Sequence, residues 1–334
     1  MHKLKNKFLF ALAVAVLAFV YLSASFGVSA QVAEVYIGGM PAGFTLGLGG
    51  AQIVGVCEVL TDEGAVCPAR DAGIAVGDII CTLNGVKIER ASDIDKVLDG
   101  GCGKAKVSVR RGNERIETQI LPAEDIASGK RKLGILIRDS ISGIGTVTYI
   151  EKGSLRFASL GHAVADGEGK LMNVDKGDIF QCSIVNVVKG ERGRAGELKG
   201  LFLNDKSIAA ADTNCITGVY GNFKKDYDTA SLKTVQIGDS AQPGKASILT
   251  TVDGVTPKEY SVSIVKVDNG NKQNKNFVLK ITDKDLLERT GGIVQGMSGS
   301  PIMQDGKLIG AVTHVFLNDP TRGYGIAISN MLGK

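Results

Sequence analysis

With 334 residues the chain is long enough for two ordinary domains, each with its own core. Its 44% apolar and 22% charged residues describe ordered globular protein, and 44 glycines beside eleven Phe, seven Tyr and no Trp favour short strands and tight turns over long helices. The formal net charge of +4 falls to about +1 once Lys3, Lys5 and Lys7 are set aside, so no basic field remains to draw nucleic acid as a partner.

Those three lysines precede an apolar run from Phe8 to Val28, followed by Ser29-Ala30-Gln31. Val28 and Ala30 are small enough to stand three residues and one residue before a signal-peptidase cut, so residues 1–30 read as a signal peptide. The run is also long enough to serve as an uncleaved membrane anchor. Either way the chain is expected to work outside the cytoplasm. Six cysteines follow, at 57, 67, 81, 102, 182 and 215, with no CxxC pair and no cysteine–histidine cluster. That pattern gives no support for a metal and implies no cofactor. Buried thiols and disulfides both fit it.

Beyond Gln31 the chain breaks into short Val/Ile/Leu runs between glycine-bearing turns, among them Gln52–Val56, Ile79–Leu83, Val107–Arg110, Gly145–Ile150, Ile184–Val188 and Leu308–Val312. This is mainly β patterning. One helix is expected at Ala91–Leu98, where Ile94, Val97 and Leu98 share a face, and another from Asp283 to Gly291. Alternating acids and bases around Ser128-Gly129 mark residues 123–132 as a linker between two domains.

Between residues 41 and 122 the order of features resembles a PDZ domain. Gly43-Phe44-Thr45-Leu46-Gly47-Leu48 looks like its carboxylate-binding loop, and Pro68–Ile74 like the short helix found in exported peptidases of this kind. Val76-Gly77-Asp78-Ile79-Ile80 then enters a strand, and Asn84-Gly85 makes a hairpin turn. The resemblance implies a groove in which Leu46, Gly47 and Leu48 receive a peptide or C-terminus, from a partner or from this same chain.

The segment Gly292-Ile293-Val294-Gln295-Gly296-Met297-Ser298-Gly299-Ser300-Pro301 carries the chemistry. Gly-x-Ser-Gly-x-Pro recurs around the nucleophile of chymotrypsin-like peptidases. An attacking serine needs a tight turn, with backbone N–H groups aimed at the developing oxyanion. Ser298 takes the nucleophile's place, and the N–H groups of Gly296 and Ser298 are the expected oxyanion hole. A serine also needs a neighbouring base. His2 lies in the export segment, His162 lies ahead of the serine, and His314 follows it. A base ahead of the serine matches the chymotrypsin-like order, which favours His162. For a third member, Asp283 stands fifteen residues before Ser298, while Asp205, Asp212 and Asp228 lie nearer the chymotrypsin-like location.

The stretch from Thr290 to Gly325, with Thr313-His314-Val315-Phe316-Leu317-Asn318-Asp319-Pro320-Thr321 at its centre, resembles the stage IV sporulation protein B serine peptidases. The His162 motif and the PDZ-like segment placed before residues 133–334 are similar too. The resemblance implies a PDZ domain followed by a chymotrypsin-like double β-barrel, with Ser298, His162 and Asp283 as catalytic residues. It also implies a role: an exported, self-processing checkpoint protease in the space between the two forespore membranes. There it would cleave a membrane-bound regulator of an intramembrane protease, leading to activation of the late mother-cell sigma factor. A housekeeping serine peptidase and a non-catalytic peptidase-like binding protein are the alternatives.

Overall fold

Two strands of unusual length organise the chain. Pro41–Val56 and Ile135–Glu151 run antiparallel, from Pro41 opposite Thr146 to Val56 opposite Ile135, with register shifts at Leu136/Ile137 and Arg138/Ser140. Such irregularities bend and twist a ribbon, so its two ends can enter different cores. The structure is a computed structural model that describes residues 34–101, 103–165, 171–172 and 176–334. The export segment, residues 1–30, lies outside the described residues. From Val35 to Lys334 the chain is one contact unit.

At one end the ribbon closes a barrel. Around it run Pro41–Val56, Ile135–Glu151, Arg156–Ser159, Gly218–Phe223, Ala209–Cys215 and Gly177–Val188, which returns to Pro41–Val56, every neighbour antiparallel. Phe44, Leu46, Val147, Ile150, Phe157, Ile179 and Val219 fill it. A second six-stranded antiparallel ring follows: Gly244–Thr250, Lys258–Val267, Phe277–Ile281, Asp319–Ala327, Lys307–Phe316 and Pro301–Gln304, closing on Gly244–Thr250. Ile248, Val262, Ile264, Phe277, Leu279, Ile302 and Val312 form its core. Closure satisfies the backbone of every strand and leaves no long open edge. Two such barrels are the chymotrypsin-like, mainly β architecture expected from the sequence.

At its other end the ribbon carries a small module. Ala51–Gln52 pairs with Ile79–Leu83, which pairs with Ala105–Arg111, which pairs with Glu114–Ile120. Asn84 and Gly85 both take positive φ and make the expected hairpin turn. Helix Ala91–Asp99 sets Ile94 and Leu98, one turn apart, on a core containing Ile53, Ile80, Leu83, Val107 and Val109. Its first turn is tied to the ribbon, because Asp139 accepts from the Ala91 N–H at 2.9 Å. The buried Asp78 is neutralised by Arg111, whose Nε and Nη2 donate to its two oxygens at 2.7 and 2.8 Å.

The structure corrects the sequence reading in three places. Leu46, Gly47 and Leu48 do not form a carboxylate-binding loop but lie inside the strand Pro41–Val56, with Leu46 and Leu48 only 2% and 5% exposed. Ala42–Leu46 is paired on both sides, and the Gly47 N–H donates to the Lys176 carbonyl at 2.7 Å, so the sheet already uses this backbone. The module therefore does not precede the barrels; it interrupts the first one, between two of its strands. Residues 123–132, expected as a linker, are an ordered hairpin in which Ala123–Glu124 pairs with Arg131–Lys132. Asp125 accepts from Ser128 and from Lys132 inside it. The five described cysteines, Cys57, Cys67, Cys81, Cys182 and Cys215, are free thiols, and Cys102 lies outside the described residues. No described helix is long and apolar enough to cross a membrane.

Candidate active site

Helix Lys284–Thr290 ends on Gly291 in the left-handed region, φ 73°, and delivers the chain into the serine turn. The turn is stitched to its surroundings amide by amide. Gln295 N–H donates to Gly196 O at 2.8 Å, Met297 to Val294 O at 3.1 Å, Gly299 to Val312 O at 2.8 Å and Ser300 to Met297 O at 3.0 Å. The amides of Gly296 and Ser298 stand outside this network, with no acceptor among the described residues. Two unspent donors flanking a serine hydroxyl are what an oxyanion requires, because nothing must be broken when charge develops. Gly296 sits at φ 96°, and a Cβ at Gly299 would collide with the Thr146 carbonyl oxygen, so both glycines are needed for the shape of the turn. The first barrel braces it: Thr146 Oγ1 donates to Gly296 O and Thr148 Oγ1 to Gly299 O, each at 2.8 Å. Ser300 is fully buried, whereas Ser298 lines a cavity of about 470 Å³.

His162, His314 and Gly296 line the same cavity. His162 follows Arg156–Ser159 through Leu160 and Gly161, both at positive φ, which turns the chain sharply toward the second barrel. Its Nδ1 lies 2.8 Å from the Ala163 carbonyl oxygen. A carbonyl can only accept, so this bond puts the proton on Nδ1 and leaves the Nε2 lone pair for a substrate proton. Burial holds the His162 pKa below the ordinary imidazole value, against a smaller upward pull from the Ala163 bond. The His314 ring centroid is 4.9 Å away. His314 opens to solvent on one side, yet burial of the other, then the His162 and Lys275 charges, push its pKa down to about 4. Ser298 Oγ donates to Thr313 O at 2.8 Å, and no hydrogen bond joins it to either histidine. The hydroxyl must leave the Thr313 carbonyl before it can attack.

With that geometry in place, sequence comparison finds that the model of the SpoIVB peptidase S55 family matches residues 129–332. The chain belongs to this family of serine peptidases. The S55 match begins at Gly129, in the hairpin before the returning strand of the ribbon, and omits Pro41–Val56, although that strand completes the first barrel. Over 104 residues the chain is also 30% identical to putative zinc metalloproteases of Brucella suis biovar 1 and Brucella melitensis biotype 1. These matches take in 30% of this chain and 27% of each relative, about a quarter of its length. Among the described residues no group of three His, Cys, Asp or Glu side chains is gathered that could hold a metal ion.

Ser298, His162 and Gly296 thus come together in this S55 peptidase, and His314 joins them. Asp283 does not. It caps helix Lys284–Thr290, accepting from the Leu286 N–H at 3.0 Å and the Ser261 N–H at 3.3 Å, and it is absent from the cavity lining. Asp212 is paired with Arg156 at 3.0 Å, Asp228 accepts from the Ala230 N–H, and Asp205 is exposed. No described carboxylate lines the cavity. Sequence reasoning missed Thr146 and Thr148, which clamp the serine turn, and Asn214, which grips the chain just after His162. A threonine at every second position of Thr146-Val147-Thr148 is a faint signal of one strand face turned to a polar neighbour. Asn214 carries none.

Proposed function

We propose that this peptidase is an exported endopeptidase in which Ser298 is the nucleophile, His162 the general base and the Gly296 and Ser298 amides the oxyanion hole. In the acylation step Ser298 Oγ bonds to the peptide carbonyl carbon as its proton passes to His162 Nε2. The carbonyl oxygen takes up negative charge against the two amides. The imidazolium then returns the proton to the leaving amine, and water repeats the sequence on the acyl-enzyme. The observation that carries this reading is the pair of amides left unspent beside Ser298 while every neighbouring N–H from Gln295 to Ser300 is committed.

The signalling role belongs to the same proposal. It rests on the family and on the likeness of Thr290–Gly325 to the sporulation peptidases. The substrate would be a membrane-bound regulator of an intramembrane protease, met between the forespore membranes. The small module would regulate in the manner of a PDZ domain. Its strand edge at Gln52–Val56 is paired with Ile135–Arg138, which supports the chain's own segment, rather than a foreign tail, as the occupant beside helix Ala91–Asp99.

The test is phosphonate labelling and peptide cleavage by the full chain, with Ser298→Ala and Ser300→Ala as comparison. Ser298→Ala is expected to lose labelling and about 10⁶ in turnover while keeping its melting temperature. Labelling that persists in Ser298→Ala and disappears in Ser300→Ala would move the nucleophile. Expression outside sporulation would favour a housekeeping peptidase.

A further inference from the structure

We propose that Asn214 is a positioning residue for the base, gripping the far end of the single peptide group that orients the His162 imidazole. The inference rests on His162 as general base. The Ala163 carbonyl and the Val164 N–H belong to one planar unit, so turning one end turns the other. At one end Ala163 O accepts from His162 Nδ1 at 2.8 Å. At the other the Val164 N–H donates to Asn214 Oδ1 at 2.9 Å. Asn214 Nδ2 donates in turn to Val164 O at 2.8 Å and to Met172 O at 2.9 Å.

This network settles which way the Asn214 amide points. Reversed, it would set NH₂ against the Val164 N–H and an oxygen against two carbonyls. It also shows why a carboxylate would be a poor substitute, since Asp could accept from Val164 but would repel both carbonyls. Asn214 sits in Ala209–Cys215, the first-barrel strand that hairpins into Gly218–Phe223, and so reaches the His162 loop from a rigid element. Of the titratable groups facing His162, the second barrel supplies His314 at 4.9 Å, and no described acid or other base lines the cavity. A polarised peptide group, rather than a carboxylate, therefore holds the ring. An amide whose N–H is bonded to Asn214 is a stronger acceptor at its carbonyl, which stabilises the imidazolium formed during attack.

The experiment compares Asn214→Ala, Asn214→Asp and His162→Ala in the full chain, measuring kcat and KM on a peptide against pH alongside melting temperature. Asn214→Ala is expected to lower kcat by about 10- to 100-fold, the scale seen when the partner orienting a metal-bound histidine is removed, with KM within about twofold. The acidic limb of its kcat/KM profile should move to lower pH. Asn214→Asp should move that limb upward by roughly half a unit or more, because it puts a negative charge at the end of the relay. A purely structural asparagine would lower activity in both without moving the limb in opposite directions. Wild-type kcat and an unmoved limb in Asn214→Ala, with His162→Ala inactive, overturn the relay and leave the base in place. If Asn214→Ala fails to fold, an unmoved limb in Asn214→Asp overturns it equally. An active His162→Ala overturns the base assignment and the relay together.

Discussion

Asparagine at position 283 separates two roles that the sequence leaves superimposed. In the structure Asp283 Oδ1 caps a seven-residue helix through the Leu286 N–H, and Oδ2 accepts a longer bond, 3.3 Å, from the Ser261 N–H. Asparagine is as good a cap as aspartate, so the first bond survives the exchange. The second is lost where the NH₂ meets another donor. For a long, partly exposed bond that costs about 0.5–1 kcal/mol, or about 1–3 °C in melting temperature. Turnover should stay within about twofold. As third member of a triad, the same exchange would cost roughly 10⁴ in turnover, about 5 kcal/mol on the activation barrier. The two expectations lie more than three decades apart, well beyond any indirect effect of the cap on the serine turn. Asp283→Ala is the less telling variant, because losing the cap costs about 1–2 kcal/mol and loosens the helix that leads to Gly291. The assay is phosphonate labelling and peptide turnover of Asp283→Asn, with its melting curve. A variant melting within about 3 °C of the parent, yet slowed a thousandfold or more, would refute the capping argument and place the carboxylate on the imidazole in the working enzyme.

Three further outcomes follow from the structure. Burial keeps His162 and His314 neutral in the folded state while the unfolded chain protonates them near 6.5, so stability should fall as pH drops from about 6.5 to about 4. Melting curves at both ends of that window should show it, less steeply in His314→Gln, and a protein that gains stability on acidification would contradict it. Among the described residues only the two neutral histidines are ionisable in the cavity lining, and Gly292 stands six residues before the serine, so cleavage should follow apolar residues rather than Arg or Lys. An arginine-dominated peptide-library profile would overturn that. Leu46→Asp should abolish folding and phosphonate labelling together, because it buries an unpaired charge in the first barrel; full labelling of a folded variant would restore a peripheral role for this strand.

Features set by near neighbours in the chain were legible from sequence. The Asn84-Gly85 hairpin, the helix stopped by Gly291, the short helix after Pro68 and the glycine-framed serine turn all appear where residue chemistry puts them. Each is governed by the φ, hydrogen-bond and side-chain demands of a few consecutive residues. The order of His162 before Ser298 also indicated that each barrel carries one of the two, since the chain completes one barrel before starting the other.

Tertiary structure alone decided the rest. Gly43–Leu48 has the glycine pattern of a binding loop, yet two distant strands claim its backbone on both sides and make it barrel wall. The family resemblance made Asp283 a catalytic carboxylate, yet one of its oxygens caps the helix it starts and the other accepts from the Ser261 N–H. The group that meets the His162 ring is instead a peptide held by Asn214, fifty residues away in sequence from its partner Val164. The physical reason is the same in each case. A turn's energy is settled within a few residues, whereas a hydrogen-bonding group goes to whichever partner the closed barrel sets beside it.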